Sequence, residues 1–260
     1  MNNQAMEARQ EKILNILSNQ GITSVLTLSQ TLGVTRETIR KDLRSLENGG
    51  KVKRIHGAAT LRDGAANMPF SLRETLAEDE KRQVAHIASA YIQKEDTIII
   101  EGSTTTYFLC EDLMAEKTLA ESLTVITNSI RIAQLFQMGE KCRALYLLGG
   151  YVDREEGCTR GKFGVDMLDS FKAGKAFISA AAIGEDFSVT AFKEEDMLFQ
   201  RKAILCAEKT FVLANKSKLF HSALFNVCNL NDIYAFVSNA VLAPSLMEIL
   251  RAKQVEFIQA

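Results

Sequence analysis

Six polar or charged side chains lie close together near the N-terminus, and their residue types suit contact with DNA. They are Arg36, Glu37, Thr38, Arg40, Lys41 and Arg44. An arginine can bond two acceptors of a guanine, and a threonine can contact the methyl group of a thymine. We expect the first four to meet base edges, because they lie near the start of a predicted helix, and Lys41 and Arg44 to contact phosphates.

The elements around this set predict a winged helix-turn-helix. Ile39, Leu43 and Leu46 recur at helical spacing and would form the buried stripe of a helix that begins after the N-cap Thr35. Two further helices are predicted before it, at 7–19 and 27–32. A basic stretch follows as the wing, with phosphate contacts from Lys51, Lys53, Arg54 and His56. The alternative is a basic helix face that meets only solvent.

The distribution of charge divides the chain in the same way. The whole sequence of 260 residues has a net charge of −1, from 31 Lys or Arg and 32 Asp or Glu. Residues 1–62 hold ten cations against five anions, a net of +5, and the remainder holds 21 against 27, a net of −6. This asymmetry is typical of a small basic module joined to a larger acidic one.

A second group of residues suits an anionic small molecule. Gly102, Ser103, Thr104 and Thr105 follow a predicted strand and open a helix, where backbone N–H groups and hydroxyls can hold a phosphate. A plain helix cap would explain the same residues. Polar or glycine residues also follow later strands, and Lys218 could add a point charge. These residues are Thr127, Asn128, Gly149, Gly150, Ser217 and Lys218.

The second half of the chain predicts an α/β fold with a mostly parallel sheet. Apolar strands are predicted at 97–101, 123–127, 143–148, 175–180, 210–214, 233–237 and 255–258. Helices lie between most of them, at 105–114, 130–138, 163–171, 194–207 and 244–252, after one at 75–92. Strands that alternate with helices in this way indicate a sheet covered on both faces, with ligands bound beyond the carboxyl ends of the strands.

Several classes of protein are excluded by composition. Hydrophobic residues make up 47% and charged residues 24%, with only 2 Pro, which fits a globular chain of about two domains. No apolar run is long enough to span a bilayer, and the polar N-terminus has no secretory signal, so we expect a cytoplasmic protein. The five cysteines contain no C-x-x-C pair. We therefore expect reduced thiols, no metal and no cofactor.

Two stretches of the N-terminal part carry a family resemblance. T-R-E-T-I-R-K-D-L at 35–43 and R-I-H-G-A at 54–58 resemble the DeoR family of bacterial transcription regulators. The stretch 57–72 is rich in Ala, Gly and Asn and predicts a linker, which we place at 59–74 between a DNA-binding domain at 1–58 and a second domain at 75–260. The resemblance implies that this second domain is a sensor domain similar to ribose-5-phosphate isomerase. It also implies a phosphorylated-sugar effector and adds Gly161 and Glu195 to the effector residues.

The sequence departs from the family pattern at four places. Ala58 stands where a second glycine usually follows the wing histidine, and Asn215 stands where the family usually has Asp. Gln200 replaces a common Lys, and a carboxylate, Glu101, lies directly before Gly102. The last three departures bear on the identity of the sugar, whereas Ala58 bears only on the tip of the wing.

We interpret the chain as a regulator, most simply a repressor, of a carbohydrate-metabolism operon, and not as an enzyme. Its expected partners are double-stranded operator DNA, a phosphorylated sugar and further copies of the chain, as a dimer or tetramer. The alternative is a sugar-phosphate isomerase-like enzyme with an accessory DNA-binding module. Carboxylates for acid–base chemistry are present at 101, 185, 186 and 195, but residues 181–184 lack the paired aspartates that such an isomerase would need.

Overall fold

The chain forms two compact units, Met1–Glu78 and Asp79–Ala260, in a computed structural model. The structure describes residues 2–20, 23–55, 57–61, 69–138 and 142–260. No described helix is long and apolar enough to cross a membrane.

The first unit is a winged helix-turn-helix, as predicted. Its elements are α1 (Asn2–Gln20), β1 (Thr23–Ser24), α2 (Val25–Leu32), α3 (Arg36–Asn48), β2 (Val52–Ile55), β3 (Ala58–Leu61) and α4 (Phe70–Thr75). The strands β2 and β3 pair antiparallel, with Ile55 opposite Ala58. Ile13, Leu28, Ile39 and Leu43 are fully buried and join the helices to the wing in one core.

The predicted boundaries of the linker are wrong. Residues 58–61 form the second wing strand rather than a linker, and Ala59 and Leu61 are buried in the core of the first unit. Residues 70–75 form a helix, and Leu76 joins the same core. The Ala and Gly residues that suggest a linker also fit a tight hairpin, and composition alone does not distinguish a linker from a hairpin. Residues 62–68 lie outside the described part.

The second unit is an α/β domain. Its elements in chain order are α5 (Glu78–Ser89), β4 (Thr97–Ile100), α6 (Thr104–Ala115), α7 (Lys117–Ala120), β5 (Thr124–Thr127), α8 (Ile130–Met138), β6 (Ala144–Leu147), β7 (Tyr151–Asp153), β8 (Cys158–Arg160), α9 (Lys162–Met167), β9 (Ala173–Ser179), β10 (Ala182–Ile183), β11 (Val189–Ala191), α10 (Glu194–Cys206), β12 (Ala207–Leu213), β13 (Phe225–Cys228), β14 (Ala235–Ser238), α11 (Pro244–Ala252) and β15 (Glu256–Gln259). The predicted helix at 75–92 is shorter in the structure, where α5 covers Glu78–Ser89. Thr75 instead ends α4, and the chain breaks at Leu76–Ala77, where Ala77 has a φ of 50°.

All seven predicted strands form one parallel sheet. Its order is β15-β14-β12-β9-β4-β5-β6. The order of the strands reverses between β4 and β9, and doubly wound sheets bind ligands at such a switch point. Apolar residues on one face pack under α5, α6 and α8, and those on the other face pack under α10 and α11.

Candidate functional sites

Helix α3 presents the predicted DNA-contacting residues on its exposed side. The side chain of its N-cap, Thr35, accepts a hydrogen bond from the N–H of Thr38 at 3.1 Å, which fixes the start of the helix. The residues that reach solvent are Arg36, Glu37, Arg40, Lys41 and Arg44, whereas Thr38 is half-buried. The Arg40 guanidinium lies 3.5 Å from the Glu37 carboxylate, and both side chains are exposed. This surface is therefore positively charged and open to a large anion.

A buried ion pair fixes α3 against α1, and the sequence analysis missed it. Asp42 is 2% exposed, and Arg9 donates to its two carboxylate oxygens, from Nε at 2.5 Å and from Nη2 at 3.1 Å. The hydrogen bond that Arg9 donates to Asp42 raises the pKa of Arg9. A signal was present in the sequence, because Asp42 falls inside the stripe formed by Ile39, Leu43 and Leu46. An acid in a buried stripe requires a partner.

The predicted phosphate contacts of the wing differ in their surroundings. Lys53 is exposed on β2. Arg54 instead donates from Nε to Glu47 on α3 at 2.6 Å, and its backbone N–H donates to the other oxygen of the same carboxylate at 3.1 Å. Arg54 therefore joins the wing to the helix. Lys51 lines a groove with Glu7 and Glu11 of α1, and His56 lies outside the described residues.

A buried carboxylate occupies the switch point of the second unit. Glu101 follows β4, and its Oε2 accepts from the N–H of Ser179 at the end of β9 at 2.7 Å. Its Oε1 accepts from Nε2 of Gln200 on α10 at 2.6 Å. Burial, with a further contribution from nearby Asp196, raises the pKa of Glu101 to about 8, despite these donors. The two departures from the family pattern at positions 101 and 200 are thus in direct contact.

The loop after β4 is built largely by internal hydrogen bonds. The N–H of Gly102 donates to Oδ1 of Asn128, at the end of β5, at 2.8 Å. Ser103 caps α6, and its hydroxyl and that of Thr106 form a reciprocal capping box. The structure therefore brings together the predicted residues after β4 and β5. It also commits the Gly102 N–H and the Ser103 hydroxyl to partners within the protein, while Thr104 and Thr105 are buried in the first turn of α6.

The glycines after β6 allow a close approach between backbone segments. Gly150 has a φ of 142°, and a Cβ at this position would lie 2.2 Å from the carbonyl oxygen of Arg160. Gly161 has a φ of 102° and lies against the ring of Tyr151. A Cβ on Gly164 would lie 2.4 Å from the carbonyl oxygen of Gly149. These contacts pack the β7–β8 hairpin and α9 against the end of β6.

Three predicted effector residues line one small cavity next to this hairpin. They are Asn128, Gly161 and Glu195, and Thr159, Arg160, Asp196 and Phe199 complete most of the wall. The cavity measures about 10 Å³, close to the space that one water molecule needs. A sugar phosphate could enter only if the cavity widened.

Arg160 is the cation of this cavity, and the sequence analysis did not single it out. It is 8% exposed and donates to Asp153 at 2.8 Å and to Asp196 on α10 at 2.5 Å. Burial alone would lower the pKa of Arg160, but Asp196 and Asp153 raise it. Lys193 lies 3.8 Å from Asp153. These ion pairs hold the hairpin on the start of α10.

Lys218 lies in another part of the strand-end region. It follows β12, which β9 separates from β4. Its neighbour Lys216 pairs with Glu80 at 3.1 Å, and Asn215 donates to the same carboxylate at 3.0 Å. Asn215 is thus a structural link to α5. Among the described residues, no group of three or more His, Cys, Asp or Glu side chains could hold a metal ion.

Comparison with known proteins gives matches over both units. The model of the DeoR-like helix-turn-helix domain matches residues 9–64, and that of the DeoR C terminal sensor domain matches residues 76–240. The chain is 29% identical to the HTH-type transcriptional repressor GlcR of Bacillus subtilis (strain 168), over 97% of this chain and 95% of that protein. It is 24% identical to the glycerol-3-phosphate regulon repressor of Escherichia coli (strain K12), over 93% and 94%. A ribose 5-phosphate isomerase A from Methanocaldococcus jannaschii aligns with a TM-score of 0.40 and 19% identity, over 55% of this chain and 54% of that chain.

Proposed function

The chain belongs to the DeoR family of helix-turn-helix transcriptional regulators, and on that basis we propose that it is a repressor of carbohydrate-metabolism genes whose DNA binding is controlled by a phosphorylated sugar. The exposed basic face of α3 is the observation that carries the DNA-binding part. Arg36, Arg40 and Lys41 extend from one side of a helix whose opposite side is buried. Two similar proteins are named as repressors, one of them of a glycerol-3-phosphate regulon.

The arrangement at the carboxyl edge of the sheet supports the effector part of the proposal. The first turn of α6 supplies the positive end of a helix dipole, next to Asn128 and the cavity that contains Arg160. The phosphate would lie at this turn, and the sugar hydroxyls would meet Asn128 and Glu195. Because the cavity is small, effector binding has to move the hairpin or α10. Such a movement is the kind of two-state element that coupling to DNA affinity requires.

We further propose that the regulator acts as an oligomer. One recognition helix reads only a few base pairs, so a specific site needs two helices on half-sites about one helical turn apart. The second half-site raises affinity without any new contact within one module.

The test of this function uses the full chain and DNA selected from a random duplex library. We expect anisotropy titrations to show binding that weakens with salt, because phosphate contacts release counterions. A phosphorylated sugar should shift the titration, and the same sugar without its phosphate should not. Binding that does not respond to salt would contradict the DNA-binding part. An equal response to the free sugar would contradict the phosphate part.

A variant in the α6 turn tests the position of the phosphate. Thr104→Ala removes a hydroxyl that would donate to the phosphate of the effector. The change should weaken the effector response roughly ten- to a hundredfold. Thr118→Ala, an exposed threonine on α7, is the matched control and should respond like the unmodified chain. DNA affinity without effector should be the same for all three proteins. If Thr104→Ala also responds normally, the turn is only a helix cap.

The isomerase-like alternative has one observation in its favour. Glu101 is a buried carboxyl with a raised pKa at the switch point, and such groups are candidates for general base catalysis. Both of its oxygens are held by Ser179 and Gln200, however, which fits a structural role better. Turnover of sugar phosphates that is lost in Glu101→Gln would favour the enzyme.

A further inference from the structure

The two edges of the parallel sheet differ in how they meet solvent. The edge strand β15 has the sequence Glu-Phe-Ile-Gln, and its charged and amide side chains, Glu256 and Gln259, are exposed. The opposite edge, β6, has the sequence Ala-Leu-Tyr-Leu, and Tyr146 and Leu147 are exposed. Within the described ranges, β6 pairs on one side only, with β5. Soluble proteins protect open edges with charges or prolines, or cover them with another chain.

Exposed apolar side chains from the following segments continue this edge. We call the combined surface the edge patch, and it consists of Tyr146, Leu147, Tyr151, Val152, Phe163 and Met167. Their side chains are 40–81% exposed, with Phe163 on α9 the most exposed of the six. All six lie within 22 residues of chain.

Contacts join the segments that carry the edge patch. The sulfur of Met167 lies 3.3 Å from the N–H of Gly149, directly after β6. The ring of Tyr151 lies against Gly161, at the start of α9. The ring of Tyr146 packs edge-on against Phe171 at 5.0 Å between centroids. The hairpin, α9 and β6 are therefore packed together along this edge of the sheet, and Tyr146 and Leu147 flank the open strand on its two faces.

The area of the edge patch is large for a surface that faces water. With about 150–200 Å² for each large side chain, the exposed fractions amount to roughly 500–600 Å². The largest apolar patch of a monomeric protein is about 300–600 Å² and is often functional. A standard interface buries about 800 Å² on each partner. The edge patch together with the backbone edge of β6 supplies most of that area.

We propose that the edge patch is the surface through which two copies of this chain pair about a twofold axis. In such an interface the same residues face each other, and β6 can lie antiparallel to its copy. The choice of a second copy of this chain as the partner rests on the proposed function, because two recognition helices are needed on one operator. A single-sign charge surface would oppose self-pairing, but α9 carries both signs beside the patch, as the Lys162–Asp166 pair.

The same hairpin belongs to the proposed interface and to the cavity wall. Tyr151 is part of the edge patch, and its hydroxyl donates to Glu195 on α10 at 3.2 Å. Arg160, at the end of β8, bonds Asp196 inside the cavity. A ligand that widens the cavity thus moves residues of the interface, which gives the effector a direct route to the spacing of the two copies.

The experiment measures the self-association of the full chain by sedimentation velocity at roughly 1–100 μM. We expect a dimer for the unmodified chain, and at least about a thirtyfold weaker association for Phe163→Lys and for Leu147→Lys. Leu224→Lys is the control, because Leu224 is 81% exposed but lies outside the edge patch, before β13. Circular dichroism and thermal unfolding show that each variant is folded, and Phe163→Ser provides a second, uncharged change.

Each result decides the inference. A monomer at every concentration overturns it, and so does a dimer that folded Phe163→Lys, Phe163→Ser and Leu147→Lys all retain. Loss of the dimer in Leu224→Lys alone also overturns it, because the interface then includes Leu224 rather than the edge patch. A dimer that depends on the edge patch in a chain that does not bind DNA supports the interface and contradicts the proposed function instead.

Discussion

The two units place the charged groups of their candidate sites in opposite ways. Among the described residues of the first unit, the one deeply buried acid, Asp42, is matched by Arg9 on α1, and the cations of α3 are exposed. In the second unit, Arg160 is buried between two carboxylates beside a cavity, with Glu101 buried nearby. A polyanion as large as DNA cannot enter a protein, so its contacts stay outside. A small ligand has to be surrounded, and the effector site proposed above accordingly contains buried charges.

The largest effect is expected from breaking the matched pair of the first unit. Arg9→Ala leaves Asp42 buried without its cation and should destabilise this unit by about 3–5 kcal/mol. Hydrogen exchange of the α3 amides in the full chain measures the loss, because these amides report on this unit alone. The double variant Arg9→Met with Asp42→Leu is the control and should recover most of the stability. A single variant as stable as the unmodified chain would show that the pair does not hold α3.

The next largest effect is expected in the pH dependence of the unfolding free energy, to which the buried Glu101 of the second unit contributes. The folded pKa of Glu101 is raised to about 8 from an ordinary 4.5, so the folded state holds this proton more tightly than the unfolded chain. The associated stability is complete below pH 4.5 and is lost as the pH rises to 8, by about 4 kcal/mol. Urea unfolding followed by tyrosine fluorescence measures it, because all five tyrosines lie in the second unit.

The control for the pH dependence is Glu101→Gln, which has no proton to lose. Its unfolding free energy should change less between pH 5 and 8 than that of the unmodified chain. If the unfolding free energies of the two proteins change equally with pH, the pH dependence belongs to other groups. The contrast between the exposed charges of the first unit and the buried Glu101 of the second would then have no energetic support.

A smaller effect is expected from an exposed cation that reads bases. Arg40→Ala should weaken binding to the selected operator by about 1–3 kcal/mol and binding to random DNA by less. Both duplexes are compared at one salt concentration. Equal losses on the two duplexes would make Arg40 a phosphate contact, and no loss would place it outside the interface.

The smallest effect is expected from a cation that meets only phosphate. Lys53→Ala should weaken binding to operator and random DNA equally, and should lower the slope of log affinity against log salt by about 1. Arg54→Ala is the comparison, because Arg54 is bonded to Glu47 and should act through the stability of the wing. A loss restricted to the operator in Lys53→Ala would indicate base contact instead.

The regular elements were predictable, because each has a strong local signal. Most strands of the parallel sheet contain a short apolar run, and helices α8 and α11 begin and end at the predicted residues. The β7–β8 hairpin and the small sheet of β10, β11 and β13 were missed. Their strands have two to four residues and lack the length or regular alternation from which periodicity is recognised.

The candidate sites were predictable to different degrees. The exposed face of α3 could be predicted from the buried stripe on the same helix, because apolar residues that recur at the helical period leave the polar residues between them on the opposite face. Arg160 was missed because its partners are at 153 and 196, and only the packing of the hairpin on α10 brings them together. Lys218 has the right chemistry for a phosphate, but β12 is two strands away from β4 in the sheet.

The sequence by itself determined the two-part organisation of this protein, the capped and amphipathic α3, and the polar residues that follow the strands. These properties depend on neighbours along the chain, through caps, periodicity and net charge. Tertiary structure alone decided that Glu101 would contact Gln200, that Asp42 would need Arg9, and that the hairpin would close the cavity. Each of these depends on the burial of a charge among residues that are distant in sequence, and the cost of that burial is set by the completed fold.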